Sequence, residues 1–333
     1  MAETASICVI IAAKNAADTI ETAVVSALRE PEVSEVVVVD DGSSDSTADA
    51  ARGGDDGSGR LKIARFEQNK GPSAARNHAI DISSAPLIAI LDADDFFFAG
   101  RFARMLAEDD WEFVADNIAF VDAGTVTEAP QRLDHFAANP MFLDLAGFVD
   151  GNISKPGVRR GEIGFLKPIM RRSFLDRHKL RYREDMRLGE DYDLYIRALA
   201  LGARYKVIHS CGYGAVVRGD SLSGSHRTED LRRLYEADRA LLKGFDLKPL
   251  AADAVRRHEQ HVRGKYELRR FLDIKKQSGS GAAIAHVAAH LSAFPAIASG
   301  ILSDKTERWR NPAGVAVTAQ GDRLRYLLEA PAK

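Results

Sequence analysis

The stretch that most narrows what this chain can fold into is Leu87-Ile88-Ala89-Ile90-Leu91, which runs without a break into Asp92-Ala93-Asp94-Asp95. An uninterrupted apolar run of that length reads as a strand buried on both faces, the habit of parallel sheets covered by helices. Ligands of open α/β sheets gather beyond the carboxyl ends of such strands, so these acids stand where a substrate binds. Clustered carboxylates repel one another unless a cation joins them. Hard divalent ions such as Mg2+ or Mn2+ take oxygen ligands and keep phosphate partners, which makes a metal-diphosphate site the first functional reading. The plain structural reading of the same residues is a solvated acidic turn with Asp95 capping a helix.

The flanking sequence supplies a frame for that strand. Ile7 to Ala13 and Val36 to Val39 read as further buried strands, and Leu61 to Phe66 as a third strand before it. Between them, Asp18 and Glu21 suggest a capping box for a helix through Leu28. Ser44 or Asp45 can cap a short helix after Asp40-Asp41-Gly42, and Gly71-Pro72 opens a third helix. Alternating strands and helices predict a doubly wound, mostly parallel sheet, an α/β architecture. Beyond Asp95 the pattern predicts a helix over 102–106, a strand over 113–121, a long loop or insertion over 123–160 and a helix over 173–180. An amphipathic helix behind Gly189-Glu190-Asp191 carries Leu194, Ala198 and Leu201 on one face and ends at Gly202. Short strands are expected over 205–208 and 213–217, and long helices near 229–244, 249–276 and 282–302. The expected organisation is a catalytic domain over 1–225 and a helical region over 226–333.

Charge and cysteine usage exclude some classes. A net charge of -2 over 333 residues gives no general reason to expect nucleic acid. Cys8 and Cys211 form neither a disulfide framework nor a metal spacing, which suits a reducing compartment, and with no basic n-region in Met1 to Ser6 no secretory signal is expected. Ala282 to Leu302 is mostly apolar and about long enough to span a bilayer, yet it carries His286, His290 and Pro295. A spanning helix is the lesser reading there. Residues 227–276 hold fourteen Lys and Arg against nine Asp and Glu. That excess reads as a solvated helical face or, more sharply, as a surface resting on anionic lipid.

Taken in order, Val38-Val39-Asp40-Asp41-Gly42-Ser43-Ser44-Asp45, Asn69-Lys70-Gly71-Pro72-Ser73-Ala74-Ala75-Arg76-Asn77, Leu91-Asp92-Ala93-Asp94-Asp95 and Gly189-Glu190-Asp191-Tyr192 resemble the inverting family 2 glycosyltransferases. These enzymes have the nucleotide-sugar-binding fold called GT-A. The resemblance spans roughly residues 5 to 225, and within the family it runs toward bacterial exopolysaccharide and succinoglycan-type transferases. It implies that Asp40 and Asp41 bond the base and ribose of a nucleotide, uridine most often, with Arg76 and Asn77 in the same wall. Asp92 then faces the ribose or a metal-bound water, and Asp94 ligates the divalent metal, Mn2+ or Mg2+. Asp95 is either a further ligand or a helix cap.

By the same resemblance Asp191 is the general base, since an inverting transfer needs one carboxylate opposite the leaving group. The alternative is that Glu190 and Asp191 only cap their helix. One departure stands out. Many relatives carry a His shortly before a Ser-rich segment, where Ser221-Leu222-Ser223 here aligns Arg218. An arginine cannot ligate a cation, so either phosphate and water complete the metal shell or Arg218 grips the diphosphate. His209 is a substitute ligand or a structural residue. On the acceptor side, Asp150-Gly151-Asn152 and Gly164-Phe165-Leu166-Lys167-Pro168 lead toward Asp191, which makes Lys167 and Glu190 acceptor-side candidates.

The expected activity is metal-dependent transfer of a hexose from a nucleotide-diphosphate sugar to a hydroxyl of a growing, lipid-linked glycan. The resemblance implies a cytoplasmic enzyme, peripheral at the inner membrane face. Apolar faces of the helical tail could pair two copies into a homodimer. The rivals are a nucleotidyltransferase acting on sugar phosphates and an inactive nucleotide-sugar-binding subunit.

Overall fold

Apolar runs separated by Gly- and Pro-containing turns become the centre of one sheet. In the computed structural model, which describes residues 6–124, 141–154, 162–217, 227–289, 294, 297–298 and 325–328, four strands lie side by side and parallel. They are β1 (Ile7–Ala13), β2 (Val33–Asp40), β3 (Leu61–Arg65) and β4 (Leu87–Ile90). Helices α1 (Ile20–Leu28), α2 (Thr47–Gly53) and α3 (Pro72–Asp81) make the crossovers. Every residue of β4 is buried, as the unbroken apolar run requires. Because β2 and β4 both run parallel to β1, their carboxyl ends open on one edge, and Asp40 and Asp92 lie on that edge. Asp45 works on the loop between β2 and α2: it accepts from the backbone N–H groups of Thr47 at 3.1 Å and Ala17 at 3.2 Å. Helix α1 starts at Ile20, and its N-cap Thr19 makes no side-chain cap bond, so the expected Asp18–Glu21 capping box does not form.

After β4 the direction changes. Strand β5 (Phe96–Phe97) and helix α4 (Arg101–Met105) lead to β6 (Phe113–Asp122). Next come β7 (Met141–Leu143), α5 (Leu145–Asp150), a 3-10 turn at Ile163–Phe165, β8 (Ile169–Arg171), α6 (Arg172–Arg177), α7 (Glu190–Ala200) and β9 (Tyr205–Val217). The sheet order is β3-β2-β1-β4-β8-β6-β9-β5, with β7 beside β9. Strand β8 is antiparallel to both neighbours, whereas β6 and β9 are parallel. Part of the expected loop over 123–160 is thus ordered as β7 and α5, where Asp144 accepts from the Gly147 N–H at 2.7 Å. The two short strands expected over 205–217 are one strand. Its register against β6 jumps from Ala115↔Val207 to Asn117↔Cys211, so a bulge absorbs Ile208, His209 and Ser210 and the pairing resumes.

By its internal contacts the chain divides into one unit of residues 1–221 with 324–333 and a second of 222–323. In the first unit β10 (Arg325–Tyr326) pairs antiparallel with β6. Asn117 fixes this return: its Nδ2 donates to Leu328 O at 2.9 Å and its Oδ1 accepts from Leu328 N at 2.8 Å. Both cysteines are free and buried, and burial pushes the Cys8 thiol up to about 12.

The second unit pairs α8 (Thr228–Gly244) with α9 (Pro249–Ala289), which is interrupted at Gly279 (φ 85°). Asp238 and His258 meet at 2.7 Å between them, both buried, and the Tyr235 and Tyr266 rings meet edge to face at 5.4 Å. Several arginines here pair with acids of the same helix: Arg232 with Glu229 and Glu236, Arg233 with Glu229, and Arg256 with Asp253. This local pairing is the pattern of a solvated helical face, the plainer of the two readings of the basic excess. Among the described residues no helix is long and apolar enough to cross a membrane, and much of the Ala282 to Leu302 stretch lies outside them.

Candidate active site

The edge where β2 and β4 end gathers acids from distant parts of the chain around two buried cations. Arg76, on α3, donates from Nη2 to Asp92 Oδ1 at 2.8 Å and from Nη1 to Glu190 Oε1 at 2.9 Å. Its Nη1 also lies 3.4 Å from Asp191 Oδ1. Lys167 completes the group: its Nζ stands 2.9 Å from Asp92 Oδ2 and 2.9 Å from Asp191 Oδ2. Two carboxylates separated by 99 positions in the numbering, Asp92 and Asp191, are therefore joined through one ammonium. Burial alone would push the Asp92 carboxyl up, but Lys167 and Arg76 hold it well below the usual carboxylate range. Against the same cost of burial, Asp191 and Asp92 hold the Lys167 ammonium well above its ordinary value.

Local sequence explains how each side chain arrives. Gly189 adopts φ 71° at the N-cap of α7, a left-handed conformation that glycine takes without strain. That turn delivers Glu190 and Asp191 in the first helical turn, where the helix dipole favours negative charge. An aromatic floor holds α7: Tyr192 stacks on Phe148 at 6.0 Å, and Tyr195 meets Phe113, Phe148 and Tyr205 edge to face at 5.7 to 6.1 Å. Arg76 is fixed by its ion pairs and by the Tyr182 ring 5.3 Å away. Asn77 binds no member of the acid cluster. Its Nδ2 donates to Tyr182 O at 2.9 Å and to Glu184 Oε1 at 3.1 Å, while its Oδ1 accepts from Tyr182 N at 2.9 Å.

The acids after β2 organise backbone. Asp41 accepts from the N–H groups of Lys70 at 2.6 Å and Gly71 at 2.9 Å, which seats the start of α3. Asp40 Oδ1 accepts from Ser43 N at 2.9 Å, whereas its Oδ2 is buried without a hydrogen bond and lies 3.4 Å from Arg65 Nε. Gly42 (φ 67°) lets this turn pass close to the chain at Gln68 and Asn69, where a Cβ would lie 2.8 Å from backbone atoms.

The three acids after β4 occupy different environments. Asp92 has both oxygens engaged by Arg76 and Lys167. Asp95 is buried and accepts from Tyr213 Oη at 2.7 Å and Val216 N at 2.8 Å. Burial first, then the charges of Asp92 and Asp94, push the Asp95 carboxyl up to about 8. Tyr213 Oη also accepts from Asp92 N at 3.1 Å, which ties both ends of the turn to β9. Asp94 is the exposed member. Among the described residues no group of three or more His, Cys, Asp or Glu could by itself hold a metal ion. A Mg2+ or Mn2+ ion that keeps waters and binds substrate phosphate asks for only one or two protein carboxylates, and exposed Asp94 fits that demand. Arg218 lies outside the described residues, and His209 lies within β9.

From sequence, Lys167 is expected on the acceptor side and Arg101 carries no expected role. Arg101, on α4 and fully buried, donates to Asp116 Oδ1 at 2.8 Å and to Lys167 O at 2.6 Å. A lysine inside the apolar run Phe165 to Met170 was the available signal, because a charge in such a run must find partners.

Comparison with known proteins adds four findings. A family model described as Glycosyl transferase family 2 matches residues 8–177. The chain is 65% identical over 326 residues to the succinoglycan biosynthesis protein ExoU of Rhizobium meliloti (strain 1021), covering 97% of this chain and 95% of that one. Among solved structures it resembles S. aureus TarS 1-349 in complex with UDP-GlcNAc (TM-score 0.57, 19% identity, 82% of this chain and 74% of that one). It also resembles the mannosyltransferase PcManGT from Pyrobaculum calidifontis in complex with GDP-Man and Mn2+ (TM-score 0.53, 18% identity, 92% and 81%).

Proposed function

The chain belongs to glycosyl transferase family 2, is a glycosyltransferase and has the GT-A fold, and from that premise we propose a metal-assisted, inverting hexosyl transfer with Asp191 as general base. The donor is a nucleoside diphosphate sugar, with UDP-sugars the first to try. The acceptor is a hydroxyl of a growing exopolysaccharide of the succinoglycan type, lipid-linked as the family resemblance implies. The extent of likeness to the Rhizobium meliloti protein supports the polysaccharide class.

One observation carries this reading: Asp92 at the donor edge and Asp191 at the head of α7 are bound to the same Lys167 ammonium. Asp191 Oδ2 is committed to Lys167. Its Oδ1, at 3.4 Å from Arg76, is the more loosely held oxygen and takes the proton as the acceptor hydroxyl attacks the anomeric carbon. No second carboxylate need form a covalent intermediate in an inverting displacement. On the nucleotide side, Asp40 Oδ2 is a buried acceptor without a hydrogen bond, suited to an imide N–H or a ribose hydroxyl. A divalent ion held by Asp94 would neutralise charge on the departing diphosphate.

Product analysis tests the proposal. Incubation with UDP-hexoses, Mn2+ and a glycan acceptor releases nucleoside diphosphate; no release of nucleoside diphosphate there, together with formation of UDP-hexose and pyrophosphate from UTP and hexose 1-phosphate, would indicate nucleotidyl transfer and overturn it. Chelation of the metal, or Asp94→Asn, lowers turnover by about 100-fold. Full turnover in excess chelator would remove the metal from the account.

A further inference from the structure

We propose that Lys167 is a positioning residue of the transfer, its ammonium fixing the separation of the donor-side carboxylate Asp92 and the base Asp191, with the buried Arg101–Asp116 pair holding the lysine main chain in place. The inference rests on the role of Asp191 proposed above. It gives Lys167 a place between donor and base instead of a place among acceptor contacts.

The geometry is specific. Lys167 Nζ has carboxylate partners from two elements, Asp92 after β4 and Asp191 on α7, each at 2.9 Å. The lysine is itself buried, so neither contact is a loose surface pair. Its carbonyl oxygen accepts from Arg101 Nη2 at 2.6 Å, and Arg101 is held in turn by Asp116 Oδ1 at 2.8 Å. The Phe97 and Tyr213 rings lie 4.7 and 5.2 Å from the Arg101 guanidinium, and the same Tyr213 bonds Asp92 N. A residue gripped at both its main-chain carbonyl and its ammonium has little freedom. Arg76 bonds the other oxygens of Asp92 and Asp191, but at 3.4 Å from Asp191 it is the weaker tether. Without the ammonium, Arg76 is the cation that the described residues leave among Asp92, Glu190 and Asp191, and like charges at such range move apart. A displacement of about 1 Å in a reacting group costs on the order of 100-fold in rate.

The test compares Lys167→Ala, Lys167→Met and Asp191→Asn in the full chain, with far-UV circular dichroism and thermal melting to establish folding. Lys167→Ala is expected to lower kcat by about 100-fold while the donor KM changes less than about threefold. Ethylammonium or propylammonium, fitted to the vacated space, restores part of that kcat with saturation; tetramethylammonium, which cannot donate a hydrogen bond, does not. Should Lys167→Ala fail to fold, the nearly isosteric Lys167→Met carries the kcat and KM comparison. Parental kcat in either variant overturns the inference, as does a loss confined to KM. Folded Lys167→Ala with reduced kcat and no amine rescue overturns it as well, because the loss then comes from altered packing and not from the missing ammonium. Asp191→Asn separates the two readings. If it retains the parental rate, the assignment of the base fails; if it is inactive while Lys167→Ala is not, only the positioning role fails.

Discussion

Asp191→Asn lowers kcat by about a thousandfold and leaves nucleotide-sugar binding unchanged, as measured by steady-state transfer at saturating substrates alongside calorimetric titration of the donor. The amide keeps the size of the side chain and its place at the head of α7, but it cannot take the proton of the acceptor hydroxyl. It also loses the charge that Lys167 faces at 2.9 Å, so a modest drop in melting temperature accompanies the loss of rate. Glu190 cannot substitute, since its carboxylate is drawn to Arg76 at 2.9 Å. Retention of the full transfer rate would exclude Asp191 as the base.

Arg101→Met destabilises the protein by about 3–5 kcal/mol, read as a fall in the denaturant midpoint. The cause is the partner left behind. Asp116 is wholly buried, and burial already pushes its carboxyl up while Arg101 pulls it back. With methionine there, the carboxyl has lost its cation and the Lys167 carbonyl has lost its donor. The double variant Arg101→Met/Asp116→Leu recovers much of the stability, because replacing a whole buried pair with apolar residues is often neutral. It does not recover full transfer rate, since the Lys167 carbonyl is still without its donor. A single variant as stable as the parent would show that the pair contributes little to this core.

The first half of the sheet was legible because it obeys local rules. The apolar runs of β1, β2 and β4, punctuated by Gly42 and by Gly71-Pro72, correspond closely to the strands observed, whereas β3 carries Lys62 and Arg65 and is only partly buried. Legibility declined where structure depends on pairing at a distance. Strand β9 looked like two strands because His209-Ser210-Cys211-Gly212 has the composition of a turn, yet β6 pairs with it on both sides of the bulge. Strands β5, β7 and β10 are two or three residues long, too short to carry a period of their own. The acids of the site could be named from the order of their motifs. Their partners could not, since Lys167 with Asp92 and Arg101 with Asp116 are contacts made only by the folded sheet. The capping box expected at Asp18 and Glu21 shows the converse error, a local signal that the surrounding loop overrides.

With Asp191 as the base, facing Asp92 across Lys167, the transfer is a direct displacement at the anomeric carbon that inverts its configuration. The anomeric configuration of the product tests it most directly. With an α-linked nucleotide sugar as donor, nuclear magnetic resonance of the initial product should show a β-glycosidic linkage. An α-linkage would mean net retention, require chemistry that a lone base cannot perform, and contradict the mechanism derived from this site.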